Sequence, residues 1–104
     1  MTVLERLLIP AWDAPTRSIE DWCVRLGNLG HPPALLRERP DEIWLHVESL
    51  GLRMMAVEEG PTLAALHAEL EAPDPGTALE LLHEAATGLG WEIHDEDDGD
   101  AESR

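Results

Sequence analysis

Apolar and polar residues alternate most regularly between Glu42 and Glu58, EIWLHVESLGLRMMAVE, a pattern that predicts two β-strands folded about Leu50 and Gly51. Written out as a hairpin, Val47 meets Met54 and Leu45 meets Ala56 on one face. On the other, Glu48 falls opposite Arg53, His46 opposite Met55 and Trp44 opposite Val57. A third strand over Ala34 to Arg39, turned at Pro40 and Asp41, keeps this partition. Leu36 then faces Leu45, Ala34 faces Val47, Arg37 lies over the Trp44 indole and Arg39 faces Glu42.

Outside this meander the period changes. Val3, Leu4, Leu7 and Leu8 fall at helical spacing before Pro10, which predicts a short first helix or an apolar arm. Ser18 with Asp21 three residues on is an acidic variant of the capping box. Ile19, Trp22, Cys23 and Leu26 follow as the apolar stripe of a second helix, closed near Gly27. Gly60 and Pro61 read as a helix start, with Leu63, Leu66 and Leu70 as its stripe. Another helix spans Thr77 to Thr87, with Leu79, Leu82, Ala86 and Leu89 on one side and Gly88 and Gly90 ending it. Trp91 to Asp95 alternates Trp91 and Ile93 against Glu92 and His94, the pattern of a last strand.

The expected fold is therefore α+β: N-terminal helices, an antiparallel β-meander of two or three strands, two helices, and a final strand joining the sheet. Residues 1–95 make one domain, and residues 96–104, acidic and nearly without apolar side chains, are expected to form a disordered tail.

Charge narrows the functional classes. The chain has 22 acidic residues against 7 basic ones, a formal net charge of -15, and every basic residue is Arg. A field of that sign repels nucleic-acid phosphates and anionic membranes and attracts a basic partner. There are four Trp and neither Phe nor Tyr. Together with the absence of Lys, this is the composition of a GC-rich gene, expected of a bacterial or phage protein. The first fifteen residues lack a basic region followed by an unbroken apolar run, and no stretch approaches the ~20 apolar residues of a membrane span. A cytoplasmic location is the expectation.

Candidate chemistry is sparse. Cys23, the single cysteine, lies on a buried stripe, where a thiol is inert. The five histidines, His31, His46, His67, His83 and His94, have no metal-binding spacing, although His46, His94 and a helical His could converge. His67 finds its expected partner in Glu71, four residues on. No GxSxG, Walker or dinucleotide pattern is present, so no enzyme activity, metal or cofactor is expected.

The feature with most functional content is the second face of the sheet. Trp44, His46, Met55 and Val57 occupy it, where a solvated face would carry Thr, Lys or Glu. Two N-terminal helices with apolar stripes need a surface, so their packing over this face is expected; the other outcome is an exposed binding face. In charge, length and layered design the chain resembles small acidic inhibitors of the immunity-protein, antitoxin and anti-defence types, without any alignable motif. This implies a non-enzymatic binding protein that neutralises a basic partner, such as a nuclease or nucleic-acid-binding complex, by presenting carboxylates in place of phosphates. Its contact residues are expected to be Trp44, His46, Met55, Glu58, Glu59, Trp91, Glu92, Asp95, Glu96, Asp97 and Asp98, with Trp44 or Trp91 as aromatic anchor. The alternative is a cytoplasmic assembly or secretion chaperone that uses the apolar sheet face, or a homodimer interface, to hold a partner segment.

Overall fold

The computed structural model describes residues 3–40, 42–71 and 75–95. Within them, β1 (Leu4–Pro10), α1 (Ile19–Asn28), β2 (Ala34–Arg39), β3 (Glu42–Val47), β4 (Leu52–Glu59), β5 (Thr62–Leu70), α2 (Gly76–Leu89) and β6 (Trp91–Asp95) follow in order. The six strands form one antiparallel sheet ordered β2-β3-β4-β5-β1-β6. The class is α+β, but the arrangement corrects the expected one. There is no N-terminal helix pair, the meander has four strands, and α2 is the only helix after it among the described residues.

Two segments that read as helices are strands. In β1, Leu4 and Leu8 turn to the core while Leu7 and Ile9 turn the other way, in register with β5 on one side and β6 on the other. A short run apolar on both faces carries no period that separates strand from helix. In β5, Leu66, Ala68 and Leu70 alternate as a strand should, but Leu63 is also buried. The β4–β5 register shifts between Val57 and Glu58: Val57 faces Ala65 and Glu58 faces Leu63, leaving Ala64 as the extra residue. That bulge brings residues three apart to one face and so imitates a helical stripe. Gly60, with φ 66°, and Pro61 make the hairpin turn instead of a helix start.

The core lies on one side of the sheet. Leu8, Ile43, Leu45, Val47, Leu52, Met54, Ala56, Leu66, Ala68 and Leu70 form a single buried cluster with Trp22 and Leu26 of α1 and Ala78, Leu81, Leu82, Ala85, Ala86 and Leu89 of α2. Both helices therefore cover the same face. Trp22, fully buried, meets Trp91 of β6 edge to face, with ring centroids 5.3 Å apart and planes at 78°. Arg25 spans the helix pair and donates from Nη2 to the Glu84 carbonyl at 2.8 Å. Gly88 lies inside α2 and leaves room for that guanidinium, since a Cβ there would lie 2.4 Å from Arg25 Cζ. The left-handed cap is Gly90, with φ 77°.

The α1 start is as the spacing predicts. The Ser18 hydroxyl accepts from the Asp21 amide at 3.2 Å, and the Asp21 carboxylate accepts from the Ser18 amide at 2.9 Å. Removing the hydroxyl leaves the Asp21 N–H without its cap acceptor, so Ser18→Ala should lower stability by about 1 kcal/mol. A urea titration of the variant beside the parent protein checks this.

Candidate functional site

Among the described residues, no element covers the face opposite the helices. The registers set one continuous row across all six strands: Leu36, Trp44, Met55, His67, Leu7 and His94. A second row runs Ala34, His46, Arg53, Glu69 and Glu5. On the other flank Val57 lies beside Ala65, and Ile9 beside Glu92. None of these side chains is in the buried cluster, and Leu36 and Val57 are 42% and 43% exposed. The expectation that N-terminal helices cover this face is overturned, because the N-terminal segment is a strand within the sheet and both helices lie behind it.

Two register details decide what the face contains. A 3-10 turn at Glu48–Leu50 and a left-handed Gly51 make the β3–β4 connection longer than a two-residue loop, so Trp44 meets Met55 and His46 meets Arg53. The shift from the expected pairing is two residues, which preserves the faces. The Glu48–Arg53 pair does not form. Between β2 and β3 the shift is one residue, absorbed by a bulge at Glu38, and a one-residue slip exchanges faces. Leu36 thereby joins Trp44 on the open side, and Arg37 is displaced from the indole.

Arg53 takes that place. Its guanidinium carbon lies 5.1 Å from the centroid of the Trp44 ring, and its Nη2 donates to Glu69 Oε1 at 2.6 Å. Glu69 faces Glu5 directly across β5 and β1, and Glu5 Oε1 is 3.4 Å from His67 Nε2. Glu5 thus holds the role expected of Glu71. On β6, His94 Nε2 and Glu92 Oε1 are 3.2 Å apart. The face is an apolar band with a paired ionic row along one side.

The residues expected to contact a partner are divided by this geometry. Trp44, His46 and Met55 come together on the open face, and Glu92 lies at its β6 edge. Trp91 does not: it is 5% exposed and belongs to the core against Trp22. Glu58 and Glu59 are exposed at the end of β4 beside the Gly60 turn. Asp95 ends β6 in register with Arg6, at the far end of the sheet from that turn. Glu96, Asp97 and Asp98, with the rest of the expected tail, lie outside the described residues.

Sequence reasoning missed three contributors. Leu7 falls in the segment expected as a short helix or an apolar arm, Ile9 carries no role in that pattern, and Leu36 is expected on the opposite face; only the strand registers show that they belong with Trp44. Trp12, in the loop after β1, is 95% exposed. It borders a shallow cleft of about 350 Å³ whose lining includes Pro15, Arg17, Glu59 and Thr62.

Three histidines share the open face, yet among the described residues no group of three or more His, Cys, Asp or Glu side chains could hold a metal ion. Burial, and secondarily the nearby Glu20 carboxylate, push the Cys23 thiol up, away from the reactive thiolate. Among the described residues no helix is long and apolar enough to cross a membrane. Comparison with protein-family models, curated proteins and solved structures gives no significant match.

Proposed function

We propose that the protein is a non-catalytic binding module whose open sheet face seats a basic amphipathic segment of a partner protein. The observation that carries this reading is the uncovered row Leu36, Trp44, Met55, His67, Leu7 and His94. Five strand spacings of ~4.8 Å make that row roughly 24 Å long, which matches about four turns of an α-helix laid across the strands. A helix with an apolar stripe would bury the band. Basic residues beside the stripe would meet Glu5, Glu69 and Glu92 and the wider field of the -15 charge. Long-range attraction would speed encounter, and residence would come from apolar burial around Trp44 and Met55.

The net charge supports a second reading, the acidic inhibitor that covers a basic site on a nuclease or nucleic-acid-binding complex with exposed carboxylates. Salt and a face variant separate the two. Tagged protein is used to capture partners from cells of its source at low and high ionic strength, with the parent chain and with Met55→Glu. Docking on the face predicts a complex that survives high salt and is lost with Met55→Glu. Carboxylate mimicry predicts release by salt and indifference to Met55→Glu. Capture of neither kind, with the protein itself dimerising through this face, would contradict both readings and support the homodimer.

A further inference from the structure

We propose that the Trp44 indole face and the Glu69 carboxylate form a binding site for a guanidinium or ammonium group, and that the free protein fills this site with its own Arg53. The inference rests on the open face being the partner's seat and specifies one contact within it. Three observations meet at this point. Arg53 projects from β4 between β3 and β5, with its guanidinium over Trp44 on one side and bonded to Glu69 on the other. Glu69 lies directly opposite Glu5, an arrangement of like charges that is unfavourable unless a cation attends it. Arg53 is 53% exposed, so water and solutes reach the guanidinium while the groups it touches are more enclosed.

A cation held over an aromatic ring and against a carboxylate gains from both the ring quadrupole and the charge. Nothing in that gain is particular to Arg53. A partner's Arg side chain, arriving with its own helix or strand, can replace it if Arg53 swings into solvent, where a long flexible side chain retains full hydration. The exchange conserves one ion pair and one cation–π contact, so it costs little. It also makes Arg53 an internal competitor: its removal should strengthen cation binding, opposite to the effect of deleting a contact residue.

The test uses N-acetyl-arginine amide as probe and the indole N–H signals of the ¹⁵N-labelled protein as readout. Trp12, Trp22 and Trp91 serve as internal references for Trp44. In Arg53→Ala, the Trp44 signal should shift at about one-fifth or less of the probe concentration needed by the parent chain, the ratio of roughly 1 kcal/mol of cation–π attraction. Glu69→Gln in the Arg53→Ala background should reverse the gain. Equal or weaker response in Arg53→Ala overturns the proposal, as does a gain that Glu69→Gln leaves intact. Preserved dispersion of the Trp22 and Trp91 signals certifies the fold of each variant. Since the probe is a single arginine, its failure bears on this contact alone, whereas failure of the open-face reading appears in the capture experiment as indifference to Met55→Glu.

Discussion

Replacing Met55 by Glu is expected to eliminate partner binding while leaving the fold in place. Met55 sits near the middle of the transverse row, between Trp44 on β3 and His67 on β5, and is only half-buried. A carboxylate there keeps access to water in the free protein, so the folding cost should stay within about 1 kcal/mol, as for surface substitutions generally. In the complex the same carboxylate would be buried unpaired against an apolar stripe, at a cost of several kcal/mol. The expected result is at least a hundredfold loss of affinity with a urea midpoint close to that of the parent. Retained affinity would move the binding surface away from this face, with the exposed Trp12 loop next to be tested.

Trp22→Ala should have the opposite profile. Trp22 is fully buried, packs edge to face on Trp91, and so joins α1 to β6 within the one core cluster. Truncating a buried Trp costs about 3–5 kcal/mol, which is a large fraction of the ~5–15 kcal/mol that keeps a small domain folded. The variant should lose much of its urea resistance, whereas Trp12→Ala, at a position 95% exposed, should lose none. Trp91 was a candidate anchor on the strength of its residue type, yet any binding lost on replacing it reports a damaged core. A stable Trp22→Ala protein would contradict the single-core architecture.

What could be read from the chain depended on how many rules acted on a segment at once. Around Ser18 the cap and the stripe agreed, and α1 starts where they placed it, although Gly27, expected to close it, lies inside the helix and Leu29 is the cap. Trp91 to Asp95 likewise pairs in the sheet with the alternation expected of it. In β3 and β4 the two-residue error in register left the paired side chains on their assigned faces, Glu48 alone being drawn into the 3-10 turn, so the Trp44, His46 and Met55 grouping survives. The failures have local causes. The extra residue at Ala64 disguised β5 as a helix, and Glu38 reversed the faces of β2. β1 is apolar on both sides because one face packs into the core beneath the helices and the open band uses the other. Of the two N-terminal helices expected to cover Trp44, the first is strand β1 and the second, α1, packs on the opposite face of the sheet. The exposure of that face was therefore beyond reach of any argument that treated the segments separately.

Two adjacent residues allow the most direct test of that face. Met54 points into the core with no exposed surface, and Met55 points into the open band. Mild peroxide oxidation followed by fragment mass spectrometry distinguishes the two sulfurs. In the free protein Met55 should oxidise and Met54 should remain intact; in the captured complex Met55 should be protected as well. Equal oxidation of Met55 with and without the partner, or resistance of both methionines in the free protein, would contradict the open face as the binding surface.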